Sequence, residues 1–166
     1  MTDFEFQGIA MDLAREAGQA GEVPIGAVVV RDGEVIGRGR NRMEELGDAT
    51  AHAEMFALRE AFSVVGNWRL DGCELYATLE PCPMCAGAIL HSRVARVVYG
   101  APDHRLGACR THWAILERNP IGRTVQVLDG VLAEESAELL RSFFRSVREG
   151  NRPSSTDRLG DRGSIA

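Results

Sequence analysis

Thr78-Leu79-Glu80-Pro81-Cys82-Pro83-Met84-Cys85 is where a strand pattern hands over to a helix pattern, and that handover sets the fold class. Upstream, Cys73 to Thr78 reads as a strand. Downstream, Pro81 opens a helix to about His91, because a proline in a first turn gives up only an N–H that has no helical partner. The same alternation recurs outward in both directions. Phe6 to Gly18 carries a helical stripe of Phe6, Ile9, Ala10, Leu13 and Ala17, closed off by Gly21 and Pro24. Ile25 to Val30 and Glu34 to Gly39 flank Asp32-Gly33, a pair that marks a tight hairpin. Ala51 to Phe62 reads as a helix with Thr50 placed to cap it. Val94 to Tyr99 is a further strand ended by Gly100, and Thr124 to Leu128 a fifth before the Asp129-Gly130 turn. Val131 to Arg148 is a last amphipathic helix, while Asp103 to Gly122 reads only as loop plus a short helix around Trp113 to Leu116. Helix and strand signals in alternation point to a layered α/β domain.

Residues 1–148 make one domain on this reading, and 149–166, rich in Arg, Ser, Gly and Asp, a disordered tail. The 166 residues are 45% apolar and 26% charged, enough for a sizeable core and against disorder along the whole length. No run approaches the roughly 18 apolar residues of a membrane span, so no membrane partner is expected. Acids stand near the N-terminus where a signal peptide carries basic residues, and the expected location is cytoplasmic. The net charge of −5 argues against a nucleic-acid footprint over the whole surface but leaves room for a local basic patch. All 19 basic residues are Arg, so every cation is a planar fork suited to carboxylate or phosphate.

The chemistry-bearing residues fall in two pieces. Cys82 and Cys85, at i and i+3 on one helical face, can turn both sulfurs to one ion. His52, within Thr50-Ala51-His52-Ala53-Glu54, supplies a third ligand at the start of another helix. Three protein ligands leave a fourth tetrahedral position open to water, the layout of a catalytic zinc site, with one Zn2+ expected per chain. Glu54, two residues from His52, can reach that water without occupying the metal and pass its proton to a ring nitrogen beside the attacked carbon. Each piece alone is modest: an isolated His-Ala-Glu is mostly a helix start, and a lone Cys-x-x-Cys is a metal or redox pair only about as often as not. Together, in this order and with Pro81 before the first Cys, they match the His-x-Glu … Pro-Cys-x-x-Cys signature of zinc deaminases. A redox dithiol would leave His52 and Glu54 idle. A closed structural zinc site would need Cys73 or Cys109 as fourth ligand, and a zinc-stabilised module without activity would have no use for Glu54. His91, His104 and His112 read as surface or loop histidines.

The chain resembles the bacterial tRNA adenosine deaminase family, which converts the wobble adenosine of a tRNA anticodon to inosine. The resemblance runs from about Phe6 to Arg148 through Glu22-Val23-Pro24-Ile25-Gly26-Ala27-Val28, Asn41-Arg42, the two metal pieces, Met84-Cys85-Ala86-Gly87-Ala88, His91-Ser92-Arg93 and Val97-Val98-Tyr99-Gly100-Ala101. It implies a three-layer α/β/α sandwich of cytidine-deaminase-like type on a central five-stranded sheet. It also implies that Asn41 hydrogen-bonds the flipped base, that Val23 and Pro24 wall its pocket, and that Asp103 and Arg105 lie at the pocket mouth. The last helix is similar to the family's C-terminal helix, which meets the tRNA anticodon stem-loop; Phe144 would stack a base and Arg145 and Arg148 would hold phosphates. The bland reading of Phe143 and Phe144 is core, with the arginines a solvated face. The resemblance further implies a homodimer. The chain departs from the family pattern at Pro83 and at Arg110-Thr111-His112-Trp113. The alternative is a small-molecule nucleobase or nucleoside deaminase of guanine or cytosine type.

Overall fold

The first helix, α1 (Asp3–Gln19), starts earlier than its apolar stripe, because Thr2 and Glu5 close a capping box. The Thr2 hydroxyl accepts the Glu5 N–H at 3.3 Å and the Glu5 carboxylate accepts the Thr2 N–H at 2.6 Å. The remaining elements are β1 (Gly26–Arg31), β2 (Glu34–Arg40), α2 (Met43–Leu46), α3 (Ala53–Val65), β3 (Glu74–Leu79), α4 (Pro83–His91), β4 (Arg96–Ala101), β5 (Gln126–Leu128) and α5 (Ala133–Arg148). The structure, a computed structural model, describes residues 1–151. Most of the expected 149–166 tail therefore lies outside the described residues. No helix among the described residues is long and apolar enough to cross a membrane.

The five strands form one mixed sheet in the order β2-β1-β3-β4-β5. β1 runs antiparallel to β2 and β3, whereas β3, β4 and β5 are parallel. Asp32 and Gly33, at φ 51° and 79°, make the hairpin turn that a two-residue loop requires. A bulge beside Val29 and Val30 shifts the β1–β2 register. It lets Val35 face the opposite side from Gly37 and Gly39.

Helices cover both faces. Ala27, Val29, Leu75, Ala77 and Val97 meet Ala53, Ala57 and Ala61 of α3 and Ala86 and Ile89 of α4 on one side. Phe6, Val28, Val30, Tyr76 and Val98 form the core on the α1 side, where the Phe6 and Tyr76 rings lie 5.3 Å apart. On this face the Ser136 hydroxyl of α5 donates to the Thr78 carbonyl, and the Thr78 hydroxyl accepts the Gly26 N–H at 3.1 Å. The three layers expected by resemblance are present.

Three local expectations differ from the structure. Thr50 does not cap α3: its hydroxyl donates to Asp48 Oδ1 at 2.7 Å, and the cap position falls to His52. Pro83, not Pro81, occupies the first turn of α4, with Cys82 at the cap. Trp113 to Leu116 form no helix; a single turn closes there, with the Arg118 N–H on the Ala114 carbonyl at 2.7 Å. Leu116 and Val125 pack into the core and pair across a 3.0 Å hydrogen bond, so burial rather than helical pitch arranges this segment.

Gly37 and Gly39 set the height of α3 above the sheet. A Cβ at Gly39 would overlap the Ala53 carbonyl oxygen, and one at Gly37 that of Ala57. Because these are backbone atoms, the helix would have to lift. Gly39→Ala is therefore expected to lower unfolding free energy by about 1–3 kcal/mol, the usual cost of overpacking, as read from urea denaturation.

Candidate active site and metal centre

His52 and Cys82 occupy the cap positions of α3 and α4. Both are turned toward each other. His52 Nδ1 lies 3.6 Å from Cys82 Sγ and 3.6 Å from Cys85 Sγ. All three ligand atoms fall within 4.8 Å of one another, and no other His, Cys, Asp or Glu group of this kind occurs among the described residues. The spacing fits zinc. With Zn–S near 2.3 Å and Zn–N near 2.05 Å, the N···S edge of a tetrahedron is about 3.6 Å.

Electrostatics fit the same ion. Cys82 is pulled down to about 4 by the hydrogen bond from the Cys85 thiol, with further help from His52. Cys85 is pushed far above the ordinary thiol range by that bond to Cys82, then by burial and by Glu54. Two adjacent sulfurs beside a buried carboxylate cannot both ionise unaided. A dication at their centre lets both be thiolates. The hydrogen bond to Cys82 raises the His52 pKa against the opposing effect of burial. Glu54, only 4% exposed, has its carboxyl pushed up by burial, opposed by His52. A carboxyl raised by burial beside a metal-type cluster is placed to take and return a proton.

Asn41 follows β2 and is buried beside Val23. Its Nδ2 donates to the Val23 carbonyl at 3.3 Å and its Oδ1 accepts the Met43 N–H at 3.4 Å. Both bonds are long, and the amide keeps a second N–H and lone pair for another partner. Val23 is half-buried and Pro24 buried. Asp103 Oδ1 accepts the Arg105 N–H at 2.9 Å, and Arg105 is exposed. Phe144 is 41% exposed and edge-on to Phe143 at 5.5 Å. With Leu140, Arg141, Arg145 and Arg148 it lines a groove of about 350 Å³. Arg145 pairs with Glu138 at 3.1 Å. The structure thus brings His52, Glu54, Cys82 and Cys85 together, and sets the α5 residues on the other face of the sheet.

Cys73 and Cys109 are both buried and stand outside the cluster. His112 bonds through Nε2 to the His104 carbonyl at 2.6 Å, away from the metal residues. Two buried carboxylates escaped the sequence reading. Glu22 accepts the Glu44 and Glu45 N–H groups at 3.1 and 2.7 Å, anchoring α2 beside Asn41. Glu80 accepts N–H groups from Asp103, Cys109, Arg110 and Thr111. These partners lie 22 to 31 residues away in the chain, so no local pattern announces them.

Residues 1–101 match the family described as the cytidine and deoxycytidylate deaminase zinc-binding region. Fold and donor set accordingly define a zinc-dependent hydrolytic deaminase. The chain is 46% identical over 140 residues to the tRNA-specific adenosine deaminase of Bacillus subtilis strain 168, covering 84% of this chain and 87% of that one. A structure from a study of A-to-I editing by tRNA:A34 deaminases at the wobble position of transfer RNA superposes with TM-score 0.78 at 46% identity, covering 82% of this chain and 99% of that one. A guanine deaminase from Nitrosomonas europaea superposes with TM-score 0.71 at 28% identity, covering 84% and 83%. This chain belongs to the tRNA-specific adenosine deaminase family.

Elemental analysis is expected to find one zinc per chain, lost in Cys85→Ser and retained in Cys73→Ser and Cys109→Ser. Equal zinc in the parent and Cys85→Ser would remove Cys85 from the ligand set.

Proposed function

We propose that this chain hydrolyses the wobble adenosine of a tRNA anticodon loop to inosine and ammonia. The observation that carries the chemistry is the His52–Cys82–Cys85 cluster with Glu54 buried beside it. The 46% identity to a named tRNA-specific adenosine deaminase supports the substrate. On this reading His52 Nδ1 and the two sulfurs hold zinc, which when bound supplies the Lewis acidity that makes water a nucleophile at neutral pH. Glu54 accepts a proton from the attacking water, delivers it to the ring nitrogen beside the attacked carbon, and relays one to the departing amine. The carboxylate ends as it began. Asn41 holds the flipped base between Val23 and Pro24, with Asp103 and Arg105 at the mouth.

An adenosine in an anticodon loop is already unpaired, so turning it out costs at most a few kcal/mol. The loop must still be gripped. Phe144 offers a stacking face, worth about 1–3 kcal/mol per base, and Arg145 and Arg148 offer forks for phosphate. The fully exposed ion pair of Arg145 with Glu138 can be exchanged for a phosphate, since exposed pairs are worth little. A homodimer acting in the cytoplasm completes the reading.

Glu54→Ala is expected to lower turnover by about 10²–10⁴-fold or more while zinc content and circular dichroism stay unchanged. Turnover within a few-fold of the parent would assign the proton shuttle elsewhere. Incubation with an anticodon stem-loop carrying wobble adenosine, and separately with free guanine, cytosine and adenosine, is expected to yield inosine in the RNA alone. The double variant Phe144→Ala, Arg148→Ala should lose that activity and keep its zinc. Ammonia from guanine or cytosine with the RNA untouched would transfer the assignment to a small-molecule deaminase like the Nitrosomonas europaea relative.

A further inference from the structure

Glu80 is 2% exposed and makes no ion pair among the described residues. Its carboxylate is satisfied instead by five donors from one loop. Oε2 accepts the Asp103 N–H at 3.0 Å and the Thr111 hydroxyl at 2.5 Å. Oε1 accepts the N–H groups of Cys109, Arg110 and Thr111 at 3.2, 2.7 and 2.9 Å. One residue further on, the Pro81 carbonyl accepts the Ala108 N–H at 2.9 Å. The loop closes on the carboxylate so tightly that a Cβ at Gly107 would overlap it. Burial pushes the Glu80 carboxyl up, but Thr111 and the backbone donors outweigh it and hold the group below its ordinary range. A ring of amide dipoles around a buried anion is a fixed, directional clamp.

The clamped segment has no ladder of its own. Between β4 and β5 the described chain forms turns only, so hydrogen bonds to Glu80 replace the secondary structure that would otherwise fix its pose. Arg110, part of the departure from the family pattern, turns its side chain away to Asp129 at 2.5 Å and to the Val127 carbonyl at 2.8 Å. It braces the loop to β5. Other groups of the same segment, His104, Arg105, Leu106, His112 and Trp113, are exposed.

We propose that Glu80 is a positioning residue for substrate capture: its hydrogen bonds lock the 103–111 loop against the start of the Cys82 helix, and so set Asp103 and Arg105 relative to the metal centre. The proposal deepens the RNA reading and rests on it for the kinetic assay. Glu80 touches no reacting atom; it acts through the loop.

Glu80→Gln keeps the side-chain volume but replaces one acceptor oxygen with a donor, which in either orientation confronts at least one backbone N–H. With the stem-loop substrate, KM is expected to rise about tenfold or more while kcat stays within about threefold, because uniform binding is lost and chemistry is not. Zinc should remain at the parent level, and the amides of Asp103, Cys109, Arg110 and Thr111 should exchange faster. Thr111→Val, which removes one donor and leaves Glu80 in place, should raise KM by about threefold. The double variant should be no worse than Glu80→Gln alone, since both act through one contact. A fall in kcat at unchanged KM, a parallel loss of zinc and melting temperature, or unchanged amide exchange would each overturn the proposal. If Glu80→Gln fails to fold, Thr111→Val must still split KM from kcat, and an unchanged KM there overturns it. A parent inactive on the stem-loop would indict the substrate assignment, and amide exchange alone would then decide on Glu80.

Discussion

Two helix N-termini must meet closely enough for one imidazole nitrogen to sit 3.6 Å from two sulfurs, and the rest of the molecule is arranged around that demand. α3 approaches through Ala53, Ala57 and Ala61, small residues one turn apart, over Gly37 and Gly39, which have no side chain to hold it off. α4 arrives directly from β3, with only Glu80 to Cys82 between strand and helix. The N-terminus of α4 also brings its partial positive charge to Cys82, favouring the thiolate there. The opposing cost is the burial of Glu54 in the same place. A carboxyl pushed up by burial is unhelpful to stability and useful to proton transfer.

The metal residues were legible in the sequence because their geometry is local. An i, i+3 pair at a helix start and a histidine at another need only one long-range fact, that the two helices lie side by side. Thr50 misled because cap preference is weak beside a competing partner, here Asp48 two residues away. Trp113 to Leu116 misled for another reason: apolar residues at close spacing mark burial, and Leu116 is buried from a turn. Glu22 and Glu80 were invisible, since a buried carboxylate is specified by donors that the chain delivers from elsewhere. Composition reads such residues as surface acids.

β3 and β4 are parallel neighbours, and their carboxyl ends point the chain to the same edge of the sheet. From β3 the chain passes into Cys82 and α4, and from β4 into the loop that Glu80 holds. Crevices outside the carboxyl ends of parallel strands are where α/β sheets gather ligands. Cys82, Cys85 and the loop carrying Asp103 and Arg105 thus share one edge because strand direction puts them there. Thr78 ties this edge to the opposite layer: it bonds the first residue of β1 through its hydroxyl and Ser136 of α5 through its carbonyl.

That last tie bears on substrate size. Ser136 fixes the start of α5 near the end of β3, and Arg148 stands twelve residues beyond, about 18 Å along the helix axis. Phe144 lies on the same outer stretch, exposed. His52 and Glu54 stand at the start of α3, under the opposite face of the sheet. The α5 groove lies on the far face of the sheet and offers an aromatic ring with three arginines, Arg141, Arg145 and Arg148. A free base would leave that groove unused, having no backbone to span the distance. An RNA loop continues past its reacting nucleotide in both directions, and its phosphates and stacked bases are the chemistry that arginine and phenylalanine recognise. On the proposed reading the chemistry falls to the His52 side and the grip to the α5 groove, a division that suits a polymer substrate even though the chain as a whole is acidic.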